Sequence, residues 1–141
     1  MASVTWRAIW NAHPFPAFPC DRATFGNQCA IRMSVALAGA GVDLSGFRGA
    51  RCYPGMGHGG RHILRAQELA DWIARRTDLF GTVGKRTGVT AADYAQAPGI
   101  VFIQNGWGPT DHIDIWDGAA IKGGNLDYFA RGKEVWFWPL G

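Results

Sequence analysis

No apolar run in this 141-residue chain approaches the roughly twenty residues that a membrane-spanning helix needs, so insertion into a bilayer is not expected. The first ten residues carry one arginine and no long apolar stretch, so no secretory signal peptide is read there. Synthesis is therefore expected to end in the cytoplasm unless a dedicated machine exports the protein. Charge is sparse: 18% of residues are charged against 48% hydrophobic, which excludes a disordered tail and a coiled coil. Cysteine is scarcer still. Cys20, Cys29 and Cys52 are an odd number, so at least one thiol is unpaired. Cys20 and Cys52 could join in an oxidising compartment and leave Cys29 free, a pairing that spacing does not establish. Dense basic runs are missing too. The net charge of +3 and pI of about 9.0 favour an anionic partner such as nucleic acid, a wall polymer or a membrane surface. Arg61, Arg65, Arg75 and Arg76, however, fall on or near one predicted helix and read as its solvated face, so nucleic acid is not the expected partner. Without repeats, low-complexity stretches or a linker, residues 1–141 read as a single domain.

What the chain has in quantity is glycine, 20 residues, and tryptophan, 7, which suggest many turns and aromatic packing in a mixed chain. Residues 1–12 predict a short helix, with Val4, Ile9 and Trp10 as its apolar surface. Residues 13–26 are a Pro-rich loop that Phe15, Phe18 and Phe25 can pin down. A first main helix is expected from about 28 to 38, rich in helix formers and stopped by Gly39 and Gly41. Residues 39–60 read as irregular. A second helix is expected over 63–76, where Ala66, Leu69, Trp72, Ile73 and Arg76 recur with helical period. Residues 81–88 read as a connector, and Thr90 is placed to cap a short helix through Ala97, which Pro98-Gly99 ends. The pattern then turns to β: strands over 100–104, 112–116 and 134–138, with Asp117-Gly118 as a turn and 119–122 as a returning partner strand. Helices first and antiparallel strands afterwards make the class α+β.

Cys29 lies where a loop broken by Pro14, Pro16, Pro19 and Gly26 turns into the first main helix. At a helix N-terminus, free backbone N–H groups and the positive end of the dipole stabilise negative charge, on a nucleophile or on an oxyanion. A lone cysteine in an Ala-rich helix is more often structural, and becomes a nucleophile only with a base beside it. His112 is the best base, because it opens an alternating strand after a Gly-rich loop. His13 stands in the Pro-rich loop, and His58 and His62 flank a Gly-rich one. An early helix-borne cysteine and a late strand-borne histidine is the papain-like arrangement, which also requires a polar group on the far nitrogen of the imidazole.

The stretch Asn27-Gln28-Cys29-Ala30-Ile31-Arg32-Met33-Ser34 resembles the nucleophile motif of the type VI secretion amidase effectors, fourth family. Gly106-Trp107 followed by His112-Ile113-Asp114-Ile115-Trp116-Asp117-Gly118 is similar to the family's histidine segment, and Val135 to Leu140 to its terminal strand. The resemblance covers most of the chain. It implies an NlpC-type papain-like fold, N-terminal helices packed on a C-terminal antiparallel sheet, with Cys29 as nucleophile and His112 as base. It also implies cleavage of the γ-D-glutamyl–meso-diaminopimelate bond in peptidoglycan stem peptides, delivery by the type VI secretion machinery into the periplasm of target bacteria, and a cognate periplasmic immunity protein. No cofactor is implied. In the third position the chain departs from the family, whose aspartate, counted without gaps, falls on Gly123. Asp127 is the preferred substitute because a carboxylate best stabilises an imidazolium. Asn125 is retained, since an amide carbonyl can also hold a tautomer. Asp114 remains in play although it stands only two residues along the strand from His112, a spacing expected to be too long for a direct hydrogen bond.

Cys52, His58 and His62 have some of the residue types of a zinc site, but the Gly-rich spacer makes one continuous helix through both histidines unexpected, and no metal is assigned. Two rival functions share the sequence: a housekeeping or phage cell-wall peptidase of the same fold, and a non-catalytic glycan-binding module in which Trp107, Trp116, Trp136 and Trp138 form a sugar platform.

Overall fold

The computed structural model describes residues 4–15, 29–44, 46–49, 63–107 and 110–140. The expectations for Cys20, Cys52, His58, His62 and Arg61, and for Asn27 and Gln28 of the cysteine motif, lie outside the described residues. In chain order the elements are α1 (Trp6–Ala12), α2 (Cys29–Gly39), α3 (Ala66–Arg75), α4 (Thr77–Phe80), β1 (Gly84–Arg86), a 3-10 turn (Ala91–Tyr94), β2 (Gly99–Trp107), β3 (Thr110–Trp116), α5 (Tyr128–Arg131) and β4 (Glu134–Pro139). The strands form one antiparallel sheet in the order β1-β4-β2-β3.

Strand β2 lies inside the sheet and is covered on both faces, which is why its sequence is a continuous apolar run rather than an alternation. Ile100 and Phe102 join Ile113, Ile115, Trp136 and Trp138 in the core beneath α1, α2 and α3. Val101 and Ile103 face the other way, into a smaller core with Tyr94, Trp116, Phe129 and Phe137. Trp116, Trp136 and Trp138 are therefore 1%, 6% and 0% exposed. Three of the four tryptophans proposed for a sugar platform are core residues, and that reading falls because a buried ring cannot stack on a sugar.

Helix α2 is apolar almost all round and central, as its sequence predicts. Ser34 links it to the next segment: its hydroxyl donates to Ile31 O at 2.7 Å and accepts from Ile63 N at 3.2 Å. That bond holds Ile63 in an extended bridge, so the second main helix starts at Ala66 rather than at 63. The segment after Thr90 is a single 3-10 turn closed by a Thr90–Asp93 capping box. The partner strand expected over 119–122 shrinks to one bridge, Trp116 with Ile121, because the Asp117 carboxylate accepts both the Ala119 and Ala120 N–H groups and curls the chain. Strand β1, read from sequence as a connector, is exposed along its length and carries no apolar alternation to announce it.

Candidate active site

Cys29 is the first residue of α2, buried among apolar neighbours. Its sulfur lies 3.8 Å from Asp111 O on β3, and the thiol hydrogen-bonds the imidazole of His112, the next residue. The β2–β3 hairpin brings that imidazole into place. Register slips between Ile103 and Trp107, where Asn105 takes φ +52° and its N–H donates to Asp111 Oδ1 at 2.8 Å. A bulge at this point re-aims the strand end that carries Asp111 and His112.

The other side of the ring is held within the same strand. His112 Nε2 is 2.8 Å from Asp114 Oδ2. This corrects the expectation that two strand positions lie too far apart for a direct hydrogen bond: the side chains lean along the strand and close the gap. With Nε2 engaged by the carboxylate, Nδ1 is the nitrogen that meets sulfur. Asp114 is 1% exposed yet amply bonded: Oδ2 also accepts from Gly123 N at 3.0 Å, Oδ1 accepts from Ile115 N at 2.8 Å, and His13 Nε2 stands 3.3 Å from Oδ1. A buried carboxylate needs such company to remain charged.

Asp127, the preferred third residue, and Asn125, the alternative retained, are not brought to the imidazole. The Asp127 side chain is 65% exposed and its carboxylate pairs with Arg131 at 3.8 Å, while the exposed Asn125 caps a turn through its carbonyl, accepting from Tyr128 N at 3.1 Å. The expected hairpin would have carried a carboxylate back beside His112. The segment instead turns into α5 and returns with the Tyr128 ring, packed edge-on against the imidazole with centroids 5.0 Å apart. Gly123, at the ungapped position, faces the carboxylate so closely that a Cβ there would lie 2.8 Å from Asp114 Oδ2. Arg32, the one charge on α2, stacks over Phe15 with its guanidinium 5.0 Å from the ring centre.

Burial would push the His112 pKa down. The hydrogen bond donated to Asp114 and the contact with Cys29 outweigh it, and the imidazole is raised to about 10. His13 goes the other way, to about 4, chiefly because it is buried. From the sequence His13 reads only as a less suitable base, Gly123 only as the position where the family's aspartate is missing, and Tyr128 as no part of the site. A histidine ending a short helix before a proline, a loop glycine and the first residue of a one-turn helix carry no local signal of these places in the site. Among the described residues, no group of three or more His, Cys, Asp or Glu side chains is placed to hold a metal ion, and no helix is long and apolar enough to cross a membrane.

A helix N-terminal cysteine set against a strand-borne histidine, with helices packed on an antiparallel sheet, defines the NlpC/papain-like fold. The chain matches the family described as Type VI secretion system (T6SS), amidase effector protein 4, over residues 25–138, and it belongs to that family of amidases. Solved structures agree in fold. The type VI effector Tae4 from Enterobacter cloacae superposes with a TM-score of 0.74 at 20% identity, covering 100% of both chains. The Tae4-Tai4 effector-immunity complex from the same organism gives 0.72 at 20% identity, over 98% of this chain and 99% of that one. Tae4 from Salmonella typhimurium, in complex with the immunity protein Tai4 from Enterobacter cloacae, gives 0.72 at 17% identity over the same shares. A comparison with curated proteins gives no match.

Proposed function

We propose that this chain is a cysteine amidase of peptidoglycan, a DL-endopeptidase that cuts the γ-D-glutamyl–meso-diaminopimelate bond of stem peptides. One observation carries the catalytic type: a single imidazole touches the Cys29 thiol on one side and a buried carboxylate, 2.8 Å away, on the other. Cys29 is the nucleophile. Its sulfur attacks the γ-carbonyl carbon of the D-glutamyl residue, while the sulfur's proton is held on His112 Nδ1. The tetrahedral oxyanion is met by the Cys29 backbone N–H, one of the N–H groups at the α2 N-terminus that have no acceptor within the helix. As the C–N bond breaks, His112 returns the proton to the leaving diaminopimelate nitrogen and a thioester remains. Water then attacks the thioester, His112 takes a proton from it, and the thiol and a free γ-carboxylate are restored.

Asp114 is the orienting acid. It keeps Nε2 engaged, so that Nδ1 faces sulfur, and it stabilises the imidazolium that forms in each half-reaction. The resemblance expects a carboxylate at position 123. Glycine there leaves the room into which Asp114 Oδ2 projects, so the carboxylate is supplied from two residues along the His112 strand. As an effector, the protein is delivered by the type VI machinery and acts in the periplasm of the recipient, and the producing cell is protected by an immunity protein of the kind seated on Tae4 in the Tae4-Tai4 complexes.

Mass spectrometry of purified muropeptides tests this reading. Stem peptides should separate between D-glutamate and diaminopimelate with wild-type protein and remain whole with Cys29→Ala. Cleavage by the Cys29→Ala protein, or scission at another bond, contradicts it.

A further inference from the structure

Among the described residues, His13 is the one buried ionisable side chain beside the site to which the reaction above gives no part. It caps the C-terminus of α1, its backbone N–H bonding Ile9 O at 3.0 Å and Trp10 O at 3.3 Å. Helix α1 is itself tied to the segment around β3. Trp6 Nε1 donates to Trp116 O at 2.8 Å, and Lys122 Nζ donates to Trp10 O from the residue before Gly123. The His13 ring is thus carried to Asp114 from a different element than the one bearing His112.

The tautomer follows from its contacts. Phe15 N donates to His13 Nδ1 at 3.3 Å, so Nδ1 is an acceptor and in the neutral ring the proton sits on Nε2. Nε2 lies 3.3 Å from Asp114 Oδ1, at ion-pair distance but not aligned as a hydrogen bond, and this buried nitrogen has no hydrogen-bond partner among the described residues. Burial keeps the ring neutral, and Lys122, Arg32 and His112 act in the same direction while Asp114 opposes them. A neutral N–H dipole suits this place. It attracts Oδ1 across 3.3 Å without drawing the carboxylate's charge away from His112, as a second cation would.

We propose that His13 is a positioning residue for the amidase reaction: its Nε2–H restrains Oδ1 of Asp114, so that Oδ2 stays aimed at His112 Nε2. The inference rests on the catalytic reading of Cys29, His112 and Asp114. His13 touches neither the thiol nor the substrate and acts through the carboxylate. Hydrogen bonds from the Ile115 and Gly123 N–H groups and from the His112 ring, with the His13 contact as an added electrostatic restraint, then limit rotation of the carboxylate about its Cβ–Cγ bond. Loss of the His13 donor would loosen the aim of Oδ2 and leave Oδ1 with Ile115 N alone.

The test compares the full-length wild-type chain with His13→Leu, which removes the donor, His13→Gln, whose amide N–H reaches to about the same point, and Cys29→Ala, all on the same purified muropeptides. His13→Leu should lower kcat roughly tenfold with KM unchanged, and His13→Gln should recover most of that loss although it equally lacks the ring. Nitrogen-15 spectra of the wild-type imidazoles at neutral pH should show His13 protonated at Nε2 only. Wild-type kcat in His13→Leu, or equal slowing by leucine and glutamine, overturns the role of His13. If neither variant folds, an Nδ1–H or doubly protonated His13 in the wild-type spectrum overturns it instead, and the Nε2–H form supports it. Turnover by Cys29→Ala is a different result: it removes the catalytic reading itself, whereas an inactive Cys29→Ala beside a fully active His13→Leu removes only the inference about His13.

Discussion

Two regions offer a carboxylate to His112: the strand that carries it, and the turn and short helix that follow. On β3, Asp114 is sealed from water and accepts the imidazole at 2.8 Å. In the following segment Asp127 projects into solvent and pairs with Arg131, one helical turn away. Both are aspartates close in sequence to the histidine, so residue type and separation do not choose between them. Desolvation does. A carboxylate in water at a surface interacts weakly and is screened, while a buried one with its remaining lone pairs satisfied holds a neighbouring imidazolium strongly. The segment that supplies the unsuitable carboxylate still contributes, through the Gly123 N–H and the Tyr128 ring.

The sharpest way to break this comparison is Asp114→Asn. The amide keeps the size but loses the charge, and can turn its NH2 toward Nε2 and favour the wrong tautomer. Turnover should fall by about two to four orders of magnitude, read as kcat on muropeptides. Near-wild-type kcat would remove Asp114 from the site. Gly123→Ala comes next. Its Cβ would stand 2.8 Å from Oδ2 of a carboxylate that other donors hold in place, so kcat should fall roughly tenfold with the fold intact by circular dichroism. Unchanged kcat would mean that the carboxylate shifts freely.

A third measurement uses pH. His13 is lowered from 6.5 to about 4 in the folded chain, so between those values the unfolded chain binds a proton that the folded one refuses, and stability falls as pH falls through that window. His112 is raised from 6.5 to about 10; its contribution is complete below 6.5 and is lost as pH rises toward 10. Tm should therefore peak near neutral pH and fall by roughly 5–10 °C by about pH 4.5, with the acid-side loss reduced in His13→Leu if that variant is folded. An acid-side loss of the same size in folded His13→Leu would assign it to other groups. The smallest effect is expected from Asp127→Ala, within about twofold of wild type, since an exposed pair of this kind contributes on the order of 0.5 kcal/mol. Severe loss there, with Asp114→Asn active, would reverse the comparison.

Much of this was legible along the chain. The loop-to-helix transition at Cys29, the buried run of β2 and the alternation from His112 to Trp116 are local patterns with a direct physical meaning, and each forms an element in the structure. The third residue was not legible in the same way. Period two placed His112 and Asp114 on one side of a strand, but whether their side chains meet depends on how far they lean and on what fills the space between strand and loop. Here Gly123 leaves that space open. The turn after β3 does not lead into the partner strand that Asp117-Gly118 suggests, because Asp117 satisfies two backbone N–H groups that a hairpin would have used.

By itself the sequence determined that a thiol would begin a central helix and that an imidazole would lie near the start of a late strand, although that strand begins at Thr110 rather than at His112, because helix starts and strand alternation are set by neighbours a few residues apart. Only the tertiary structure decided what surrounds the imidazole. Asp114 gathers contacts from the residue that caps α1, from its own strand and from the loop at Gly123, residues separated by up to 110 positions but drawn together when α1 and β3 are tied through Trp6 and Trp116. Burial, which decides whether such a carboxylate can hold a charged histidine, belongs to no residue alone. It arises when helices, sheet and loop close over the same few ångströms.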